Sequence, residues 1–265
     1  MTQSRPGALV TGASSGIGYE LAKILARKGH DVALVARSRD QLERISTDLR
    51  DDFGVHSLVV AEDLADSGSP DRIFARLLDE GFRTDVLVNN AGFGTLGRFV
   101  QSDAGAQVEM VQVNVAALTH LTQLFVGPMV SRDHGRILNV ASTAAFQPGP
   151  YMAVYFATKA YVLSFSEALA EELRGSGVTV TALCPGPTIT GFQKRAAMER
   201  APIGGRIVTG DAASVARAGY AGTMKGRRVV IPGAFNRLGS TLPRFLPRSL
   251  APRIVARMTA VRGDT

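Results

Sequence analysis

A glycine-rich turn near the beginning of the chain joins a short apolar run to an amphipathic segment. Residues 7–11 (GALVT) predict a buried strand, and apolar residues at helical spacing predict a helix that ends at Gly29. The turn between them, GASSGIG, holds glycines at positions 12, 16 and 18. Backbone N–H groups at a helix start can bind a pyrophosphate, and the missing side chains permit close approach. The alternative is an ordinary glycine-rich turn, since the spacing differs from G-x-G-x-x-G.

Strands and helices alternate along most of the chain. Apolar runs at residues 31–36, 56–61, 84–88, 136–141, 178–184 and 226–231 predict further strands, and segments with helical periodicity separate most of them. Regular alternation of this kind predicts a parallel sheet with helices on both faces. The length of 265 residues fits one large α/β domain, and a hydrophobic content of 45% excludes a disordered chain.

Three sites at strand ends predict where a dinucleotide would lie. The strand at 31–36 ends in Ala36 and Arg37, with no carboxylate, and an arginine there can pair with a 2′-phosphate. We therefore expect a preference for NADP(H), the alternative being a solvated arginine. Asp63, after the third strand, either accepts from an adenine amino group or caps the helix near Pro70. Small and amide residues at 89–92 suit a ligand crevice.

Residues 151–173 predict a helix that carries a phenol and an ammonium one turn apart. Tyr155 and Lys159 are four residues apart, so they share a helix face. A free phenol has a pKa of about 10, and a neighbouring cation favours the phenolate and lowers that pKa. The pair can make the tyrosine a general acid, although many helices carry such a pair by chance. Tyr151 and Tyr161 are competing phenols, but neither has a lysine four residues later.

Several motifs follow one another in a specific order. They are TGASSGIG at 11–18, NNAG at 89–92, Asn114, Ser142, the Tyr155–Lys159 pair and PGPT at 185–188. The set resembles the classical short-chain dehydrogenase/reductase family over residues 5–232. The resemblance implies a Rossmann-type, doubly wound parallel sheet of about seven strands, and hydride transfer between NAD(P)H and a carbonyl or alcohol. We assign residues 1–232 to this domain and residues 233–265 to a C-terminal extension that is not an independent domain.

The resemblance also implies a role for each matching residue. Tyr155 would donate a proton to the carbonyl oxygen, Lys159 would lower the pKa of Tyr155 and hold the nicotinamide ribose, and Ser142 would hydrogen-bond the same oxygen. Asn114 would hold a water that relays protons through Lys159, and Thr188 would meet the nicotinamide carboxamide. The full expected cofactor-binding set is Gly12, Ser14, Ser15, Gly16, Ile17, Gly18, Arg37, Asp63, Leu64, Asn90, Ala91, Gly92, Tyr155, Lys159, Pro185, Gly186 and Thr188.

Residues after the strands predict the walls of a substrate pocket. Phe93, Gly94, residues 144–150 and the segment containing Phe192 are largely apolar or small, which favours an apolar ketone or alcohol as substrate. Residues 189–210 are expected to form a mobile lid. The four histidines are scattered without ligand spacing, so no metal site is expected.

The positive charge is concentrated at the C-terminal end. The net charge is +7, and the nine basic residues from Lys225 onward against Asp264 give that segment +8 and the remainder −1. In residues 232–265 apolar residues alternate with arginines, and prolines divide the segment into short pieces. This tail resembles the extension of reductases related to the long-chain 3-oxoacyl and 17β-hydroxysteroid group. It packs over the substrate entrance or a partner subunit, lies on an anionic membrane, or is solvated.

The combined prediction is an NADPH-dependent oxidoreductase that reduces the carbonyl, or oxidises the secondary alcohol, of an apolar substrate. The alternatives are an NADP(H)-binding sensor, an epimerase or dehydratase of the same fold, and a membrane-peripheral scaffold. Nucleic-acid binding is not expected, because no recognition motif accompanies the tail charge. The resemblance implies a homo-oligomer, a dimer or a tetramer, formed through the helix that carries Tyr155. We expect a cytoplasmic location, free or peripheral to a membrane, because the single Cys184 lies in an apolar strand, no leader is visible, and no apolar run approaches about 20 residues.

Overall fold

A computed structural model describes residues 5–189, 210–245, 247 and 249–259, and in them seven strands form one parallel sheet. The strands are β1 (Gly7–Thr11), β2 (Asp31–Ala36), β3 (Ser57–Ala61), β4 (Thr84–Asn89), β5 (Gly135–Val140), β6 (Val178–Leu183) and β9 (Val229–Val230). Their order is β3-β2-β1-β4-β5-β6-β9, and a separate parallel pair joins β7 (Thr188–Ile189) to β8 (Gly210–Asp211). The predicted doubly wound fold is confirmed.

Helices cover both faces of the sheet. They are α1 (Gly16–Arg27), α2 (Arg39–Phe53), α3 (Ser69–Asp79), α4 (Ala104–Val111), α5 (Leu118–Val130), α6 (Ala153–Glu172), α7 (Ala212–Met224), α8 (Ala234–Thr241) and α9 (Ala251–Thr259). Side chains alternate along each strand, so Val10 packs with Leu21 and Leu25 on one face while Leu9 packs with Ile73 and Leu121 on the other. Two apolar cores therefore hold one sheet between them.

The strand order places a crevice at the carboxyl end of the sheet. The chain leaves β1 toward β2 on one side, and β4 pairs with β1 on the other side. In open α/β sheets, ligands bind at such a switch point, outside the carboxyl ends of the strands. The turns after β1, β4, β5 and β6 carry the predicted motifs, and all of them open onto this edge.

Element boundaries differ from the sequence predictions, by one residue at the ends of β3, β4, β5 and β6 and by more at two other elements. The last strand pairs only over Val229–Val230, where it meets β6, and not over the predicted residues 226–231. The helix predicted over 151–173 begins at Ala153, because Tyr151 has a positive φ of 66°. The helical segment that begins at Ala104 continues to Val130 and contains a π-helical turn, Gln112–Ala117.

One helical segment corrects the expectation about long apolar runs. Ala104–Val130 spans 27 residues and contains an 18-residue window with a mean hydropathy of 1.3, so it is long and apolar enough by length and composition to cross a membrane. Within the described residues this segment supplies Leu121, Phe125 and Met129 to one core of the sheet. Since core helices of soluble domains pass the same test, its length and composition are weak grounds for a membrane span.

The C-terminal extension consists of short helical pieces, as its prolines predict. Helix α8 is followed by a 3-10 turn (Leu242–Phe245) and by α9. The predicted lid falls largely on residues 190–209, which lie outside the described residues together with the proposed wall residue Phe192.

Candidate active site

A cleft of about 880 Å³ opens along the carboxyl edge of the sheet, from the glycine-rich turn to the C-terminal extension. Most of the predicted site residues line it, whereas Gly18 and Asn114 lie outside the lining. Of the predicted pocket walls, Phe93, Ala144 and Gln147 line the cleft. The structure thus brings the two halves of the predicted site, the dinucleotide turn and the Tyr155–Lys159 pair, into one cleft.

The glycine-rich turn is held open by hydrogen bonds to the end of β4. The Asn90 Nδ2 donates to the carbonyl oxygens of Thr11 and Gly12 at 2.9 and 3.2 Å. The Thr11 Oγ1 accepts from the backbone N–H groups of Asn90 and Ala91, both at 3.0 Å. Gly12 has a φ of 64°, which a residue with a side chain rarely adopts. The NNAG motif therefore shapes the turn that precedes α1.

The start of α1 fits the pyrophosphate of a dinucleotide. Ser15 is the N-cap residue, its side chain caps no backbone N–H, and the first turn contains no acidic residue. The backbone donors of this turn are therefore not used by a local side chain, and the helix dipole favours an anion there. On this observation the residues present fit an NAD(P) cofactor.

The end of β2 places a cation beside a carboxylate at the rim of the cleft. The Arg37 Nη1 lies 3.9 Å from the Asp63 Oδ2, and the Arg37 side chain is 60% exposed. Asp63 does not cap α3, because Gly68 is the N-cap residue, so that alternative is wrong. Its Oδ1 instead accepts from the Ala65 N–H at 3.0 Å. Arg37 is therefore exposed at the position where a 2′-phosphate would lie.

The catalytic side of the cleft is formed by α6 and the turn after β5. The Lys159 Nζ donates to the Val140 carbonyl oxygen at 2.8 Å and lies 5.8 Å from the centre of the Tyr155 ring. The Ser142 Oγ accepts from the Ala144 N–H at 3.1 Å, and its side chain hydrogen-bonds Tyr155. The three polar side chains thus face one region of the cleft.

Burial shifts both ionisable groups toward their neutral forms. Burial raises the pKa of Tyr155 to about 12, and the hydrogen bond with Ser142 opposes this rise. Burial lowers the pKa of Lys159 to about 8, and the nearby Cys184 acts in the opposite direction. In this structure the cost of desolvating the phenolate exceeds the help from its neighbours. The predicted lowering of the Tyr155 pKa is therefore not seen in this structure. It stays a prediction for the site with a cofactor bound.

Asn114 is held inside the π-helical turn by a polar network. Its Oδ1 accepts from the Phe93 N–H at 3.1 Å, and its Nδ2 donates to the Phe93 carbonyl oxygen at 2.9 Å and the Thr158 Oγ1 at 3.1 Å. Only 1% of Asn114 is exposed. A Cβ on Gly92 would lie 2.9 Å from the Asn114 Oδ1, so only glycine allows this approach. π-turns often mark functional sites in helices.

The buried cysteine and Thr188 have well-defined surroundings. Cys184 follows β6 and is fully buried, and burial raises the pKa of its thiol to about 12, so it remains a thiol at neutral pH. This agrees with its interpretation as a core residue.

The Thr188 Oγ1 donates to the Gly186 carbonyl oxygen at 2.9 Å and stabilises the turn formed by the PGPT motif.

The sequence predictions missed several residues that line the cleft or support its predicted site residues. Thr158, the partner of Asn114, precedes Lys159 directly, and no periodicity distinguishes it from other helix residues. Met152 and Phe156 line the cleft from the start of α6, and their apolar character was the one available signal. Residues of the extension also line it, namely Phe235, Asn236, Gly239, Ser240, Leu242, Pro243, Ala251, Ile254 and Val255. The extension is therefore part of the cleft wall.

Comparisons with known proteins agree with this geometry. A family profile described as short chain dehydrogenase matches residues 7–201. The very-long-chain 3-oxoacyl-CoA reductase of Homo sapiens is 35% identical over 182 residues, which cover 67% of this chain and 58% of that relative. The chain thus matches little more than half the length of that relative.

Two solved structures are similar over nearly the whole chain. A short-chain dehydrogenase from Sphingobium yanoikuyae in complex with NADPH is 32% identical, with a TM-score of 0.81 and 98% of each chain covered. The bulky-bulky ketone specific alcohol dehydrogenase from Comamonas testosteroni is 30% identical, with a TM-score of 0.76, and the match covers 92% of this chain and 96% of the other.

Proposed function

We propose that this chain, which belongs to the short-chain dehydrogenase family, is an NAD(P)-dependent oxidoreductase acting on CH–OH groups. In this proposal it uses NADPH to reduce the carbonyl of an apolar substrate. One observation carries the proposal: a single cleft holds the Tyr155–Lys159–Ser142 group, the glycine-rich turn and Arg37. The same arrangement run in reverse oxidises the matching secondary alcohol. An epimerase, a dehydratase or an NADP(H) sensor could use the same cleft, and among the described residues no feature favours one of them over the reductase.

The protein has to orient the cofactor and transfer one proton to the substrate oxygen. A bound reduced nicotinamide supplies the hydride. Tyr155 then donates its hydroxyl proton to the developing alkoxide oxygen. Ser142, which already hydrogen-bonds Tyr155, holds the same oxygen and fixes its position. Thr188 and the backbone of Pro185 and Gly186 line the cleft where the nicotinamide carboxamide would bind.

Lys159 favours proton transfer from Tyr155 by stabilising the phenolate form. Its ammonium, held by the Val140 carbonyl oxygen, stabilises the phenolate that remains after proton transfer. The same ammonium would hold the nicotinamide ribose of a bound cofactor. Asn114 would position a water next to Lys159 for reprotonation. Because both N–H groups of the Asn114 amide are already used, that water would bind to its Oδ1 or to a main-chain carbonyl freed by the π-turn.

The lining of the cleft supports an apolar substrate. Phe93, Met152 and Phe156 form one wall, and Leu242 and Val255 of the extension form another. A relative acts on very-long-chain 3-oxoacyl-CoA and a structural neighbour on bulky ketones, by their names. We therefore propose a ketone with large apolar substituents, in the range from ketones with two bulky substituents to 3-oxoacyl thioesters.

The direct test is oxidation of NADPH over a panel of ketones. The panel contains bulky aryl ketones, 3-oxoacyl thioesters and ketosteroids, each compared with a small polar ketone. Turnover of one or more apolar members, with little activity on the polar one, is the expected result. Tight NADPH binding without turnover on any panel member would favour the sensor alternative.

Replacing Arg37 with glutamine is expected to weaken NADPH binding by about 10–100-fold, the usual effect of losing one hydrogen-bonded charge pair. NADH binding should be unchanged, because NADH has no 2′-phosphate. Arg39→Gln is the matched control, since Arg39 pairs with Glu43 and does not line the cleft. Fluorescence titration with both cofactors measures the effect. Equal losses for NADPH and NADH would contradict the proposed role of Arg37.

The rate of reduction is expected to fall as the pH rises through about 8. Lys159, whose pKa burial lowers to about 8, is charged below that pH and neutral above it, so the neighbouring cation is lost on the alkaline side. Tyr155 remains protonated in this range, since burial raises its pKa to about 12. The pH profile of kcat/KM with NADPH measures this. A flat profile to about pH 10 would contradict it.

Assembly and location remain proposals. Exposed apolar residues on α4 and α6, including Val108 at 70% and Tyr161 at 39% exposure, support contact between copies of the chain. We propose a homo-oligomer formed through these helices, and sedimentation equilibrium would measure its size. A cytoplasmic location and peripheral membrane contact of the extension are also predictions.

A further inference from the structure

The C-terminal extension exposes an unusual number of large apolar side chains. Phe235, Leu238 and Leu242 are 80%, 61% and 54% exposed and follow one another at helical spacing. Leu250 and Ile254, at the start of the next helix, are each 41% exposed. We call these five residues the tail strip. Contiguous exposed apolar surface of this kind marks an interaction site.

The tail strip is continuous with the inside of the cleft. Phe235, Leu242 and Ile254 line the cleft while a large part of each remains exposed, so they form its rim. Ala251 and Val255, on the same helix as Ile254, are only 8% and 7% exposed and line the cleft wall. An apolar molecule resting on the tail strip would therefore be at the entrance of the active site.

The sequence of the C-terminal extension is strongly basic. Residues 233–265 contain six arginines and no lysine, and Asp264 is their one acidic residue. Arg253 and Arg257, both exposed on α9, form no ion pair with a described residue. Apolar side chains next to arginines without ion-pair partners suit contact with a lipid bilayer, where acyl chains meet anionic headgroups.

We propose that the tail strip binds the surface of an anionic lipid bilayer, so that apolar substrates pass from the bilayer into the cleft. The route of the substrate rests on the proposed reductase function, whereas the binding itself does not. A second copy of the chain is a less suitable occupant, because pairing two strips would bring two groups of arginines together without acidic partners.

Co-sedimentation of the full chain with vesicles tests the binding. We expect the protein to bind phosphatidylcholine vesicles that contain phosphatidylglycerol, and to bind pure phosphatidylcholine less. Leu238 and Leu250 do not line the cleft, so L238S/L250S removes part of the strip and should lower binding at least about tenfold. The matched control L78S/V100S alters two exposed apolar residues elsewhere, at 62% and 88% exposure, and should bind like the unaltered chain. Equal binding by L238S/L250S would overturn the proposal.

A second pair of variants tests the role of charge. R253Q/R257Q should lose binding to anionic vesicles and remain unchanged on neutral ones. K28Q/R44Q removes the same charge from exposed positions in α2 and after α1, and should keep its binding. Equal losses in both variants would mean that overall charge, not the tail strip, attracts the vesicles, and would also overturn the proposal.

Activity measurements separate this inference from the proposed function. With a water-soluble ketone, L238S/L250S should match the unaltered chain, whereas with a long-chain ketone dissolved in vesicles its apparent KM should rise about tenfold or more. Vesicle binding without reduction of any ketone would reject the proposed reductase alone. If L238S/L250S instead sediments as a smaller oligomer and neither chain binds vesicles, the tail strip is a contact between copies and the membrane proposal fails.

Discussion

Tyr155→Phe is expected to lower kcat/KM for ketone reduction by about 1,000-fold, within the range that general acid catalysis supplies. The change removes one hydroxyl and keeps the ring, so the packing of α6 against the cleft should persist. NADPH binding should change far less than kcat/KM, because Tyr155 is one of many residues expected to contact the cofactor, whereas it is the one proposed proton donor. Single-turnover oxidation of NADPH measures the chemical step, and fluorescence titration measures binding.

Tyr161→Phe is the matched control for this experiment. Tyr161 lies on the same helix, and its hydroxyl hydrogen-bonds the Thr119 Oγ1 at 2.9 Å, away from the cleft lining. Its loss should change kcat/KM less than about twofold, as for other surface changes. Equal rates for Tyr155→Phe and the unaltered chain would show that another group donates the proton.

Among the glycine-to-alanine substitutions in the dinucleotide turn, Gly18→Ala is expected to lower stability and NADPH affinity the most. A Cβ at Gly18 would lie 2.3 Å from the Gly12 carbonyl oxygen and 2.4 Å from the Asn90 Nδ2. The turn and α1 must therefore separate, which should cost about 1–3 kcal/mol of the free energy of unfolding. The displaced N–H groups should also weaken NADPH binding about 100-fold, since pyrophosphate binding needs their alignment.

Gly127→Ala separates this steric effect from a general effect of replacing glycine. Gly127 lies inside α5, and a Cβ there would meet no atom within 4 Å apart from its own helix backbone and its chain neighbours. The variant should change the free energy of unfolding by less than about 1 kcal/mol, because the better helix propensity of alanine and the steric restriction before Pro128 act in opposite directions. Thermal unfolding and NADPH titration of both variants give the comparison. A stable Gly18→Ala variant with normal NADPH affinity would rule out close packing of the turn on β4.

Local patterns predicted the framework of this molecule well. Strand positions follow from short apolar runs, and parallel pairing follows from their alternation with helices. The Tyr155–Lys159 pair could be placed on one helix face from spacing alone, because helix geometry sets which residues are neighbours. The boundaries were less accurate: the positive φ of Tyr151 shortens α6, and the last strand is limited to the two residues that pair with β6.

The pKa values of the site residues could not be predicted from the spacing of those residues in the sequence. The sequence places a cation one turn from the phenol, which predicts a lowered pKa for Tyr155. In the folded chain both groups are buried, and burial raises the pKa of Tyr155 to about 12. Desolvation depends on everything that packs around the hydroxyl, including residues far away in the chain, and no local pattern reports it.

The chain's motifs and periodicities were enough to specify a doubly wound sheet, and they predict a dinucleotide turn and a proton donor. These features depend on interactions between near neighbours along the chain or on backbone geometry. Folding alone brought Asn114 to Phe93 and Thr158, and placed the C-terminal extension along the cleft with an apolar rim open to the outside. Contacts of this kind join residues distant in sequence, and they form because complementary surfaces pack after the local elements exist.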